Sequence, residues 1–202
     1  MKLVVEDVSC VRGGRLVFER LSFDVGAGEA MLLTGPNGSG KSSLLRLAAG
    51  LLEPAAGRIE LEGRPDDLAI GHCVHYIGHL DAVNGLLTVR ENLAFWADFL
   101  GGGDIDAALG AFALDGLVAV PAALLSAGQK RRLALARLAL VHRPLWLLDE
   151  PSVGLDAASA AALGDLVRRH VDGGGLAIVA SHTELGTGFH RRLDLGPPGA
   201  AP

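Results

Sequence analysis

Three short stretches of the chain hold residues whose types and spacing could do chemistry on a phosphate ester. GPNGSGKSS, from Gly35 to Ser43, fits G-x-x-x-x-G-K-[ST] and sits between an apolar run and a helical pattern, the context that motif needs. Glycine-rich backbone at such a turn lets N–H groups close around phosphates. Gly35, Pro36, Asn37, Gly38, Ser39 and Gly40 make that loop, and Lys41 reaches the β- and γ-phosphates. Ser42, with Ser43 beside it, supplies a hydroxyl that can ligate Mg²⁺. LWLLDE, Leu145 to Glu150, is an apolar strand pattern ending in two carboxylates. Ligands of open α/β sheets bind at the carboxyl ends of strands, so Asp149 is expected beside the cation. Glu150, one residue on, is placed to polarise a water for attack on the γ-phosphate. VASHTEL puts His182 at the end of another apolar strand pattern, where it can hydrogen-bond the γ-phosphate or the attacking water.

A fourth stretch looks redundant beside these. LLSAGQKRRLALARL opens a helix with Ser126, Ala127, Gly128 and Gln129. Free N–H groups and the positive end of the helix dipole make such a start a second anion cradle. One nucleotide does not need two.

The elements that position these residues read as a parallel α/β core. Residues 3–8 and 16–25 alternate apolar and polar around Gly13-Gly14, as a hairpin at a sheet edge does. A strand is expected at Ala30 to Thr34, a helix from Ser42 to Ala49 ending at Gly50, and a further strand from Arg58 to Glu62. Thr88 and Glu91 form a capping box for a helix running through Phe95 and Trp96 to Leu100, ended by Gly101-Gly102-Gly103. The Ala-rich stretch 104–124 reads as helical. After it come the LWLLD strand, a helix over 157–171 and the LAIVAS strand. A mostly helical insertion, about 85–140, interrupts the core. The terminal GPPGAAP has no core-forming content and is expected to fray.

Composition narrows the function classes. The chain has 202 residues, half of them hydrophobic, which suits one α/β domain, 1–202. A net charge of −5 argues against a nucleic-acid partner. Cys10 and Cys73 lack metal-ligand or CxxC spacing and read as small buried residues in a reducing compartment. The N-terminus is too poor in apolar residues for a signal-peptide core, and no run approaches the roughly 18 apolar residues of a membrane span. The expectation is a protein of the cytosol, or one held at a membrane by something else.

In combination these motifs resemble the ATP-binding cassette ATPases. GPNGSGKSS is similar to their Walker A motif, LSAGQ to the signature motif with Ala127 as a variant, and LWLLDE to Walker B. SVGLD, Ser152 to Asp156, is similar to the D-loop, and Ser181-His182 to the switch histidine, all in family order over residues 35–182. The resemblance implies an α/β P-loop NTPase fold: a mainly parallel core sheet, an N-terminal antiparallel β-subdomain and a short α-helical subdomain. It implies ATP and Mg²⁺ as cofactors. It also accounts for the second cradle. Two cassettes pair head to tail, so Ser126, Gly128 and Gln129 of one face the ATP held by the other's Walker A loop, and Asp156 crosses the same interface. Two positions depart from the common pattern. His79 stands where a glutamine near Mg²⁺ and the water is usual. Near Arg12, where an aromatic usually stacks on adenine, there is none; Arg12 either stacks by its guanidinium plane or is a solvated turn residue.

HYIGHLDAV, LTVRENLAFW and the short length narrow the resemblance to the ATPase subunits of the cytochrome c biogenesis (haem exporter) transporters. That implies transmembrane partner subunits and a peripheral place on the cytoplasmic face of the inner membrane. The alternatives are the ATPase subunit of another exporter, for a drug or lipid, a soluble cassette acting on ribosomes or DNA, and a degenerate non-hydrolysing module. The last is opposed by the presence of Lys41, Asp149, Glu150 and His182 together.

Overall fold

The computed structural model describes residues 1–65, 68–182, 185 and 188–197. Strands β1 (Lys2–Arg12) and β2 (Arg15–Gly26) pair antiparallel, with Arg12 opposite Arg15. The two residues between them, Gly13 and Gly14, have φ of 55° and 75°. A two-residue turn with positive φ at both positions matches the twist of the strands it joins, and glycine takes it without strain. After β3 (Ala30–Thr34) and α1 (Lys41–Ala48), β4 (Ala56–Glu62) adds to the other edge of β1, giving a three-stranded antiparallel sheet in the order β2-β1-β4.

The second sheet is parallel throughout. It contains β3, β5 (Val74–Ile77), β6 (Leu145–Asp149), β7 (Leu176–Ala180) and β8 (Arg191–Asp194), in the order β5-β6-β7-β3-β8. Every residue of β3, β6 and β7 is buried, which explains why each reads as an unbroken apolar run rather than an alternating one. Their side chains still alternate between two cores. Leu145 and Leu147 pack with α1 and the antiparallel sheet, in a cluster with Leu3, Phe18, Leu44 and Leu45. Trp146 and Leu148 face the other way, toward Leu93, Leu133, Leu163 and Val167. Because the strands are parallel, the ends of β3, β6 and β7 lie along one edge, and the three chemical stretches follow those ends.

The helical part comprises α2 (Val89–Leu100), α3 (Ile105–Ala111) and α4 (Ala127–Ala136); α5 (Ala157–Asp172) packs back on the core. The Thr88/Glu91 capping box is formed, and Gly101 ends α2 at φ 90°. Arg137, just after α4, lies 4.3 Å over the ring of Trp96 on α2 and helps dock the two helices.

Two expectations need correction. The stretch 104–124 is only partly helical: α3 ends at Ala111, and only short 3₁₀ turns at Asp115–Leu117 and Ala122–Leu124 follow. Ala113 turns left-handed with φ 50°, so Leu114 N–H bonds back to Leu109 O. Thereafter the backbone keeps only i→i−3 turns of its own and pairs as well with the approach to α2, through Ala122 N to Leu87 O at 2.8 Å and Val89 N to Val120 O at 3.1 Å. Strand β8 was not expected. It lies at the edge beside β3, and its exposed residues leave no apolar run to read. Cys10 and Cys73 are buried free thiols. Burial pushes the Cys10 thiol up from its ordinary value. The expected fraying of the GPPGAAP tail falls, beyond residue 197, outside the described residues.

Candidate active site

The turn after β3 is built by backbone that only glycine supplies. Gly40, the N-cap of α1, has φ 103°, and a Cβ there would sit 2.5 Å from Val17 Cγ1. The loop is thereby pressed onto β2, with Pro36, Asn37 and Gly38 exposed and Ser39 buried. Lys41 is itself buried, and its ammonium folds back to donate to Gly35 O at 2.7 Å and Pro36 O at 3.3 Å. The first turn of α1 carries no acid, so its dipole is free to attract an anion.

Asp149 is the last residue of β6, and Glu150 follows it. Asp149 is 3% exposed, and its Oδ2 is buried with no hydrogen-bond partner among the described residues. Glu150 is held in the left-handed region at φ 47°, with its N–H on Ala180 O at 2.8 Å, at the end of the neighbouring strand β7. Glu150 Oε1 is also buried, 3.4 Å from His182 Nε2, and the His182 ring is 57% exposed. Arg12, Val17, Asn37, Gly38, Gly40, Lys41, Ser42, Ser43, Asp149 and Glu150 line one cleft of about 360 Å³.

The residues present fit a Mg²⁺ ion. The Ser42 hydroxyl and the unpartnered Asp149 Oδ2 line the same cleft and are hard oxygen donors. Among the described residues no group of three or more His, Cys, Asp or Glu could hold a metal.

The remaining sequence-marked residues stay outside this cleft. Ser126 caps α4: its Oγ accepts from Gln129 N at 3.2 Å, and Gln129 Oε1 accepts from Ser126 N at 2.8 Å. Gly128 is needed there, since a Cβ would lie 2.9 Å from Gly154 O. Asp156 caps α5 by accepting from Ser159 N at 2.7 Å, and the Ser159 hydrogen bonds hold its carboxyl below the usual range. Ser126, Gln129 and Asp156 are exposed or half-buried, and none lines the cleft. His79 is exposed in the loop after β5 and does not line the cleft either.

Sequence reasoning missed Arg131. It is 5% exposed and its guanidinium bonds to two other segments of the chain. A signal was available: Arg131, Leu135 and Leu138 are spaced i, i+4, i+7, the pattern of a buried helix face, and all three are buried.

A larger cavity, about 580 Å³, lies between the β5 edge and α2, lined by Leu51, Tyr76, Trp96, Phe99 and Arg137 among others. None of the phosphate-loop or strand-end residues lines it, so the smaller cleft is the candidate active site.

The family model described as ABC transporter matches residues 18–153. The chain belongs to the ABC transporter family. Its nucleotide-binding domain is therefore an ABC ATPase domain, and the antiparallel sheet, parallel sheet and helices are those of an ABC cassette. The chain is 54% identical, over 92% of its length and 94% of the relative's, to the cytochrome c biogenesis ATP-binding export protein CcmA of Bradyrhizobium diazoefficiens. It is 51% identical to the protein of the same name from Nitrobacter winogradskyi, covering 97% of this chain and 98% of that one. Among solved structures, an ATP-binding subunit of an ABC transporter superposes with a TM-score of 0.80 at 27% identity, covering 90% of this cassette and 80% of that chain. An ATP-binding cassette solved as a dimer in a post-hydrolysis state with ADP and Pi has the same fold. It has a TM-score of 0.81 at 21% identity, over 95% of this chain and 93% of that one.

Proposed function

We propose that this chain, as one ATP-binding domain with a helical subdomain at about 85–140, hydrolyses ATP to drive an export step of cytochrome c biogenesis. One observation carries the hydrolytic part. Lys41, Ser42, Asp149 and Glu150 converge on a single cleft, while Ser126, Gly128, Gln129 and Asp156 lie outside it. A phosphate site with its second cradle elsewhere on the chain is half of a shared site. Two cassettes, head to tail, complete two such sites.

In this reading the loop from Gly35 to Ser43 holds the phosphates by backbone N–H groups, and Lys41 exchanges its carbonyl partners for β- and γ-phosphate oxygens. Ser42 and Asp149 hold Mg²⁺, which supplies charge neutralisation at the phosphates when bound. Glu150 accepts the proton of the attacking water. His182, next to Glu150, donates to the γ-phosphate or fixes the water. Ser126, Gly128 and Gln129 of the partner cassette cover the γ-phosphate from the far side. Asp156 meets the partner across the interface. His79, exposed and outside the cleft lining, is assigned one hydrogen bond near the water by its place in the loop alone, and Arg12, which lines the cleft, stacks by its guanidinium plane on the base or is a solvated turn residue.

The biological assignment rests on the relatives, which are named as ATP-binding export proteins of cytochrome c biogenesis. No helix among the described residues is long and apolar enough to cross a membrane. A transport step therefore needs transmembrane subunits of the haem exporter complex, with this chain on their cytoplasmic face. The apolar groove by α2, lined by Phe99 at 71% exposure, with Phe95 exposed on the same helix, supports that docking. The complex exports haem or releases a haem-loaded chaperone. A Lys41→Ala strain tests the assignment: the variant should stay membrane-associated, hydrolyse no ATP and leave c-type cytochromes without haem on stained gels. Normal c-type cytochromes, with the variant shown inactive and no second copy of the gene, would leave an ATPase of another exporter in its place.

A further inference from the structure

Arg131 is a buried cation with partners on two other segments. Its Nη1 donates to Gly78 O at 3.1 Å and to Asp81 Oδ1 at 3.0 Å, in the loop after β5. Its Nη2 donates to Asp149 O at 3.2 Å and Glu150 O at 2.8 Å, and its Nε to Pro151 O at 3.1 Å. The guanidinium side chain is 6% exposed and Asp81 is its carboxylate partner. Burying a charge is costly unless its hydrogen-bonding capacity is met, and here five acceptors meet it.

The placement of those acceptors matters more than their number. They bracket Glu150 on both sides, at the residue whose backbone is left-handed with φ 47°. A non-glycine residue in that region is strained and persists only where its surroundings hold it. Backbone direction at Glu150 decides where its carboxylate points, and the planar fork of an arginine holds three successive carbonyls at once. A lysine ammonium has three donors on a flexible stem and lacks that fork.

We infer that Arg131 is a positioning residue for hydrolysis: it fixes the backbone of Glu150 and ties it to the 78–81 loop. The inference rests on the reading of Glu150 as the water-polarising carboxylate. Arg131 does not itself line the cleft and, in this reading, does not touch the nucleotide; it reaches the cleft only through the backbone carbonyls of Asp149 and Glu150. Its loss should therefore misplace Glu150 while leaving the phosphate loop as it is.

Steady-state hydrolysis of ATP with Mg²⁺, and thermal melting, of the full chain, Arg131→Lys and Asp81→Ala separate this from a merely structural role. Arg131→Lys should lower kcat about 10-fold or more with KM within about twofold, the pattern of a misplaced reacting group. A folded Arg131→Lys variant with wild-type kcat would overturn the proposal, as would a KM that rises in step with a falling melting temperature. If Arg131→Lys does not fold, Asp81→Ala decides. It keeps the three carbonyl bonds around Glu150 and releases only the outer anchor, so kcat should fall about threefold at unchanged KM. Unchanged kcat in Asp81→Ala would then overturn it. A wild-type chain with no Mg²⁺-dependent turnover would instead overturn the reading of Glu150 itself, and this proposal with it.

Discussion

His182 Nε2 lies 3.4 Å from Glu150 Oε1, across the carboxyl ends of the paired strands β6 and β7. The two residues are 32 positions apart in sequence and meet because those strands are adjacent and parallel. Glu150 is half-buried, with its Oε1 out of solvent, and His182 is exposed, so a water between them and a phosphate could bond to both. His182→Ala should lower turnover by roughly 10²-fold, within the range for loss of an acid–base partner, with ATP affinity nearly unchanged. Single-turnover hydrolysis alongside equilibrium binding checks this. Equal losses of binding and turnover would move His182 from the reacting centre to simple phosphate binding.

The shared-site reading makes Ser126 a residue of the partner's nucleotide, not of its own chain's. Ser126 is exposed, so Ser126→Arg is tolerated by the fold at a cost of about 1 kcal/mol for the lost helix cap. Each copy should still bind ATP in its own cleft. ATP-dependent association should disappear, and hydrolysis with it. Fluorescent-nucleotide titration and sedimentation of the same samples measure both effects.

Acid should weaken the fold through two buried histidines. Burial lowers the pKa of His75 to about 4 and that of His170 to about 4, both from 6.5. His170 stacks on Trp146 at 3.9 Å with its Nε2 3.2 Å from the carbonyls of Pro144 and Leu176, and His75 meets Val141 O at 2.9 Å. Between pH 6.5 and 4 the unfolded chain binds these two protons and the folded chain does not. This stabilisation is therefore complete above about 6.5 and lost as pH falls toward 4, by up to about 1.4 kcal/mol per pH unit for each histidine. Urea unfolding at pH 7 and pH 5 reads it. Equal stability at the two values would mean that these rings take up protons in place.

The phosphate loop was legible because its requirements are local. Glycines at fixed offsets, a lysine and a hydroxyl lie within nine residues, between a strand and a helix, and the structure forms that turn at Gly35 and Gly40. The capping box at Thr88 was legible for the same reason. What failed was decided at a distance. Residues 118–123 abandon helix because the backbone entering α2 offers them partners. Strand β8 has too few apolar residues to announce itself, and pairing with β3 makes it a strand. Arg131 finds acceptors 18 to 53 residues away, which no short window reveals. His79 is exposed and outside the cleft lining, so only its position relative to Thr88 ties it to the site.

The most direct measurement is the mass of Glu150→Gln in solution by light scattering, with and without ATP and Mg²⁺. If Glu150 polarises the attacking water, this variant binds ATP, loses turnover by roughly 10²-fold or more, and traps the shared ligand between two chains. The account predicts a monomer without nucleotide and a species of twice that mass with ATP and Mg²⁺. A Glu150→Gln chain that hydrolyses ATP at the wild-type rate, or stays monomeric with its cleft saturated by ATP, would contradict it.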